Sequence, residues 1–229
     1  MVGQISLLDM RRTFILILLA IIFPLLTRDF LYAGPGDAGN YYGNASVYRV
    51  TVSKVETSQD NVSWITLGEG AQEFDIASVS VGQQAGAYVS GKSIPLGTYR
   101  YMRVTISRTM YITGVSASGT QYTSSTTKSI GGGLLGVATT TANTNIATIV
   151  IPSSAQSPDP NETLQVSGNN LIVTSTLDEP FTVTAGSGTL SINFNTQTTI
   201  EFDPNDALPD LDVIFWPIPP NTSIQYISG

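Results

Sequence analysis

The sequence predicts an all-β protein, an antiparallel sandwich or barrel behind an N-terminal hydrophobic segment. Three observations predict it. After residue 33 the apolar residues alternate with a period of two and never sustain the i, i+3, i+4, i+7 spacing of a buried helix face. Turn residues interrupt the alternation at short intervals, as in β-rich folds. Ser and Thr make up 52 of the 229 residues, and Thr and Val crowd the alternating stretches, where branched side chains fit a half-buried pleat.

The first 33 residues read as an export segment. Arg11 and Arg12 precede an unbroken apolar run from Phe14 to Leu26, with Pro24 near its end. A basic start followed by a short apolar run is the secretory pattern. As a helix the run spans only about 20 Å, short of a ~30 Å hydrocarbon core. Leu31-Tyr32-Ala33 offers a cut after the small Ala33, so residues 1–33 are a cleaved signal peptide or a retained membrane anchor. A pilin-type signal is a third reading, although the Glu usual near the start of its apolar stretch is missing here. All three export the rest of the chain.

Residues 34–45 come next, Gly-rich with Pro35, and read as a flexible N-terminal arm. A single β domain then occupies 46–229. Its expected strands are Val47–Val55, Trp64–Leu67, Phe74–Val81, Ala87–Ser90, Tyr99–Ser107, Gln121–Ser125, Ile146–Ile151, Leu171–Thr176, Phe181–Thr184, Leu190–Phe194, Thr198–Phe202 and Val213–Trp216, with a final Ile224–Ile227. In the first, Tyr48, Val50 and Val52 share one face and Arg49, Thr51 and Ser53 the other. In Tyr99–Ser107, Met102, Val104 and Ile106 share a face. Asp60-Asn61, Ile94-Pro95, Gly119, Gly168-Asn169-Asn170 and Gly186-Ser187-Gly188 carry the turn chemistry between them. Ser124–Asn145 reads as a loop or joint in which Leu134, Leu135 and Val137 form an apolar plug.

One stretch is familiar. Trp64-Ile-Thr-Leu67, Phe74-Asp75-Ile76, Ile94-Pro-Leu-Gly-Thr-Tyr99 and Met102-Arg103-Val104 follow in that order, and Gly188-Thr-Leu-Ser-Ile-Asn-Phe194 with Thr198-Thr-Ile-Glu-Phe202 stands near the end. This pattern over residues 46–203 resembles the secreted prokaryotic family called domain of unknown function 4382. The resemblance implies an antiparallel β-sandwich of the immunoglobulin or transthyretin kind on exported proteins. It brings no catalytic residues. Residues 114–180 depart from the pattern and read as an insertion.

Composition excludes more than it names. The chain has no His and no Cys, which removes His-based triads, Cys-His dyads, imidazole and thiolate metal sites, and disulfides. Beyond residue 33 it holds seven Lys or Arg, all between Arg49 and Lys128, against fifteen Asp or Glu. Phosphate binding needs a cationic face, so nucleic acid is not an expected partner, and membrane contact is expected only through the N-terminal segment. A basic front half and an acidic back half favour head-to-tail association of copies.

Several constellations offer chemistry. Asp203, Asn205, Asp206, Asp210 and Asp212 place oxygens within one stretch, and calcium takes roughly six to eight such ligands. The EF-hand order fails, with Leu208 where its Gly would stand and Ile214 where its Glu would; a solvated acidic turn shaped by Pro204 and Pro209 is the plainer reading. Asn44, Asn61, Asn161 and Asn221 head glycosylation sequons. A carboxylate pair for glycoside cleavage would come from Glu56, Glu69, Glu73, Asp75, Asp178, Glu179 or Glu201. Tyr41, Tyr42, Trp64, Tyr99, Tyr101, Tyr111, Tyr122 and Trp216 could stack on sugars, and at strand spacing they also suit a core.

The expectation is an exported, non-enzymatic cell-surface structural protein, a self-assembling subunit of an extracellular filament or pilus joined by donor-strand addition from a terminal arm. The alternative is a surface-anchored module that binds glycans or a protein partner. No cofactor beyond calcium is expected.

Overall fold

The computed structural model describes residues 39–78, 94–155, 157, 160–184, 188–195, 198–204, 212–219 and 221–228. The leader over 1–33 and the expected strand Ala87–Ser90 lie outside the described residues. Among the described residues thirteen strands follow in chain order: β1 Tyr41–Ser58, β2 Trp64–Asp75, β3 Gly97–Ser107, β4 Thr109–Ser116, β5 Thr127–Ile130, β6 Gly133–Val137, β7 Ala147–Val150, β8 Glu162–Ser167, β9 Asn170–Val183, β10 Gly188–Asn195, β11 Ile200–Asp203, β12 Ile214–Pro217 and β13 Asn221–Ser228. A 3-10 turn, Ile76–Ser78, follows β2. The all-β class holds.

The layers are barrel-like. β1, β4, β7, β6, β12 and β11 pair in that order, and β11 returns to β1, so six antiparallel strands close on themselves. The seam is short: Tyr41, Tyr42 and Gly43 face Phe202, Glu201 and Ile200. Closure at this seam is the departure from two separately stacked sheets. It needs a first strand long enough to serve two assemblies. The first half of β1 belongs to the barrel, and the second half lies within a five-stranded sheet of order β2-β1-β3-β9-β8. β10 and β13 pair with each other in a separate ladder.

Bulges let β1 do both jobs. Ser46 is the extra residue against β4, and Ser53 the extra residue against β3. A bulge bends its strand and shifts which side chains point inward. At Ser53 the shift puts Val52 and Val55 on the same face, opposite Ile106 and Val104. The two serines also fill the gap they make. Ser46 Oγ donates to the Thr113 carbonyl at 3.3 Å and Ser53 Oγ to the Thr105 carbonyl at 3.1 Å.

Two cores result. The barrel holds Ile112, Ile149, Ile200, Phe202, Phe215 and Leu135, among others, each almost wholly buried. Burial of one such side chain contributes about 1.5–3 kcal/mol. Glycine makes room for the rings: a Cβ on Gly136 would collide with the Phe215 ring, and one on Gly43 with the Val115 carbonyl and the Phe202 ring. The second core lies on the inner face of the five-stranded sheet and contains Val55, Leu67, Tyr99, Met102, Phe181 and Val183.

Several expectations need correction. Tyr41–Ala45, the end of the expected arm, are part of β1. Trp64–Leu67 and Phe74–Val81 are one strand as far as Asp75, carried past an irregularity in which Gly70 takes φ +115°. The expected strand Gln121–Ser125 is reduced to single bridges from Tyr122 to Val115 and Thr139. Ser124–Asn145, expected as a loop, contributes β5 and β6, and its plug residues Leu135 and Val137 are buried in the barrel. The stretch 114–180 therefore supplies two barrel staves, β6 and β7.

Candidate functional site

The five-stranded sheet has two unlike faces, set by alternation. On the inner face Leu164, Val173, Val104 and Val55 stand in one cross-strand row, with Val166, Leu171, Ile106 and Val52 in the next. On the outer face the corresponding row is Thr163, Thr174, Arg103 and Glu56, continuing to Thr66 on β2. Glu56 is buried at 5% exposure, yet it is charged and doubly paired. Arg103 Nε reaches it at 2.7 Å and Lys54 Nζ at 2.8 Å. Burial works against that charge, but hydrogen bonds from Arg103 and Lys54 and their positive charges outweigh it and hold Glu56 below the ordinary glutamate range. The Arg103 guanidinium in turn lies 4.2 Å above the Trp64 ring, a cation–π contact.

The aromatic side chains proposed for sugar stacking are largely engaged. Arg103 covers Trp64, Tyr41 stacks on Phe202, and Tyr99 is fully buried against Phe181 with its hydroxyl donating to the Pro95 carbonyl at 2.8 Å. Trp216 is 6% exposed. Tyr42 stays open, at 38% exposure.

The carboxylates are scattered through the fold. Asp75 accepts from the Tyr48 amide and pairs with Arg49 at 3.5 Å. Glu201 is buried on β11 and accepts from Asn40 Nδ2 at 2.8 Å. Of the calcium candidates, Asp203 is buried at the end of β11 and Asp212 pairs with Lys128 Nζ at 2.5 Å. Asn205, Asp206 and Asp210 lie outside the described residues. Among the sequons, Asn44 is exposed on β1, and its Oδ1 accepts from the Thr198 amide at 3.0 Å. Asn61 is exposed in the β1–β2 turn with φ +61°. Asn161 immediately precedes β8 and is exposed, and Asn221 opens β13.

The sheet ends in two edges, β2 and β8, and these differ. Glu69 and Glu73 flank the exposed middle of β2, and Gly70 twists it out of register; charge and irregularity are the usual protection of an edge. β8 runs Glu162-Thr-Leu-Gln-Val-Ser167 with no charged residue after Glu162, no Pro and no bulge against β9. Glu162 itself is tied back, accepting from Ser157 Oγ at 3.0 Å and Ser175 Oγ at 2.9 Å. Among the described residues β9 is the only strand that pairs with β8.

The hairpin that carries this edge is stapled to the barrel. Arg108 donates through Nη1 to the Gly168 carbonyl at 3.2 Å, through Nη2 to the Gly132 carbonyl at 2.9 Å and through Nε to the Ile151 carbonyl at 2.8 Å. Its own amide donates to the Asn169 carbonyl at 2.9 Å. One guanidinium thus joins the β8–β9 turn, the β5–β6 turn and the exit of β7.

The profile of the family described as a domain of unknown function, DUF4382, matches residues 37–210, from just before β1 to beyond β11. The chain belongs to the DUF4382 family. No curated protein and no solved structure matches it. The matched range includes 114–180, so in this DUF4382 chain the staves β6 and β7 lie between its ends, as does the edge strand β8.

β8 is not among the strands expected from the sequence. Its signal was present: Leu164 and Val166 alternate with Thr163 and Gln165 just before the Gly168-Asn169 turn. Arg108 was likewise unmarked, since nothing local to it shows that three distant carbonyls converge there.

Proposed function

We propose that this DUF4382 chain is an exported structural protein of the cell surface, and that it works by associating copies through main-chain pairing at an open strand edge. The observation that carries the reading is β8, a regular edge strand with no charged residue after Glu162, at the end of a five-stranded sheet. An exposed edge of this kind is a template for another strand. The N-terminal basic and apolar segment supports export, and the lack of His and Cys supports a role without catalysis.

The form of the association follows from how the first and last described strands are paired. The start of β1 pairs with β11, and β13 pairs with β10, both within the same chain. Handing either strand to a neighbour would first open a ladder at home. Adding a strand to β8 opens nothing. Edge addition is therefore favoured over exchange of a terminal arm.

Negative-stain micrographs of surface material from cells producing the protein test the reading. Surface-bound particles larger than one copy that disappear when the gene is deleted are the expected result. Bare surfaces, with the recovered protein monomeric at every concentration, would contradict it.

A further inference from the structure

We infer that β8 pairs with β8 of a second copy, antiparallel and about a two-fold axis centred on Leu164, so that two five-stranded sheets become one continuous sheet. The inference rests on the assembly reading above and adds the partner, the strand and the register. It follows from which main-chain groups the edge leaves open. The Thr176 amide donates to the Asn161 carbonyl at 2.8 Å, which makes Asn161 and Thr176 a hydrogen-bonded pair. Hydrogen-bonded and non-bonded pairs alternate along an antiparallel ladder. In the observed register, Thr163 with Thr174, Gln165 with Ile172 and Ser167 with Asn170 therefore also bond inward to β9. The N–H and C=O groups of Glu162, Leu164 and Val166 point the other way, to the open edge.

That set is self-complementary. With Leu164 opposite Leu164 of the second copy, Glu162 stands opposite Val166 and Val166 opposite Glu162. All three outward residues of each strand then meet an outward residue, and every one becomes a hydrogen-bonded pair. A shift by one residue would set outward groups against inward ones. The side chains agree with the register. Leu164 and Val166 lie on the partly buried inner face and extend the apolar row across the joint. On the outer face Thr163 meets Gln165, two uncharged partners. No like charges oppose each other, because Glu162 faces Val166. At the other edge, β2, the exposed Glu69 and Glu73 would bring carboxylates into a self-pairing. A two-fold joint uses one patch twice, the commonest symmetry of soluble oligomers.

The test uses the full-length chain in mild detergent, made without glycosylation because Thr163 belongs to the Asn161 sequon. The chain has no Cys, so a single introduced thiol is unique. Cα atoms of a hydrogen-bonded antiparallel pair lie about 5.5 Å apart, within disulfide reach. Leu164→Cys should therefore convert most of the protein to a covalent dimer on mild oxidation, and Cys at the exposed Thr148 should not. Thr163→Lys with Gln165→Lys places two Lys–Lys pairs across the joint and should give monomer. Thr163→Lys with Gln165→Glu places two ion pairs there and should restore the dimer. Leu164→Pro removes an outward N–H without touching the bonds to β9 and should also give monomer with unchanged circular dichroism. If the native chain associates but ignores all of these changes, the β8 joint is overturned and assembly by another surface stands. If the native chain stays monomeric throughout, both fall.

Discussion

Tyr41 lies flat on Phe202, ring centroids 5.7 Å apart and planes 7° from parallel, at the seam where the first residues of β1 meet β11 and close the barrel. Beneath them, Phe202 packs against Phe215 with centroids 5.8 Å apart. The seam rests on three residues of β1, so the stack matters more than its area suggests. Tyr41→Ala should cost about 1–3 kcal/mol of unfolding free energy, through lost burial and lost aromatic contact. Urea denaturation measures it, and a midpoint equal to the native one would show that the seam is not held by this stack.

Gly136 leaves the space that the Phe215 ring fills. Gly136→Ala should destabilise by about 1–3 kcal/mol through overpacking. Combining it with Phe215→Leu should recover part of the loss, because the smaller side chain clears the new methyl group. Thermal melts of the two single variants and the double variant would read this coupling. Simple additivity would mean the alanine is accommodated by movement elsewhere.

Glu56 holds Lys54 and Arg103 on the outer face of the sheet. Glu56→Gln should cost about 2 kcal/mol at neutral pH, between the values for exposed and fully buried pairs, since both cations keep some solvent contact. The carboxyl is held below its ordinary value of 4.5 in the folded protein. Its contribution is therefore present above that value and is lost as pH falls beneath it. Stability of the native chain and the variant should converge in acid. A gap that persists unchanged at low pH would point to packing instead of charge.

Asp60 organises the β1–β2 turn. Its carboxylate accepts from the Ser63 amide at 2.8 Å, the Val62 amide at 2.9 Å and Ser58 Oγ at 3.0 Å. These bonds, led by the Ser63 and Val62 amides, lower its pKa from 3.8 to about 2. A lowered folded value means stability that is complete above the unfolded value and fades as pH falls through about 2. Asp60→Ala should lower the melting temperature at pH 7, and the gap to the native chain should narrow as the Asp60 carboxyl becomes protonated. A variant melting with the native chain at pH 7 would remove the turn from the account.

Arg108 ties three turns together through main-chain carbonyls. Arg108→Ala should cost about 2 kcal/mol, the scale of hydrogen bonds from a charged donor. Amide hydrogen exchange should accelerate in β8 and β9 more than in the barrel. Uniform acceleration would show that the staple serves the whole fold equally.

Much of the fold was legible where alternation was strong. Tyr48, Val50 and Val52 declared the inner face of β1, and Met102, Val104 and Ile106 that of β3, because a period of two survives in any half-buried strand. What alternation could not show was closure. Tyr41-Tyr42-Gly43 looks like the end of a Gly-rich arm, and only pairing with residues about 160 positions later makes it a strand. β5 and β6 were hidden by Gly131-Gly132-Gly133, which reads as a break although Gly131 and Gly132 form a tight turn with positive φ between paired strands. Of the acidic residues around Asp203, local reading also did not show that Asp203 is buried on β11 or that Asp212 pairs with Lys128 on β5. β8 is legible in hindsight as alternation, but its role as an open edge depends on the order of strands, which sequence spacing does not encode.

Sedimentation equilibrium of the full-length chain across a wide concentration range reads the β8–β8 joint in solution. The molar mass should climb from 24.3 kDa to at least twice that value, with the Thr163→Lys, Gln165→Lys variant remaining at 24.3 kDa. A native chain that holds 24.3 kDa at every concentration would contradict it.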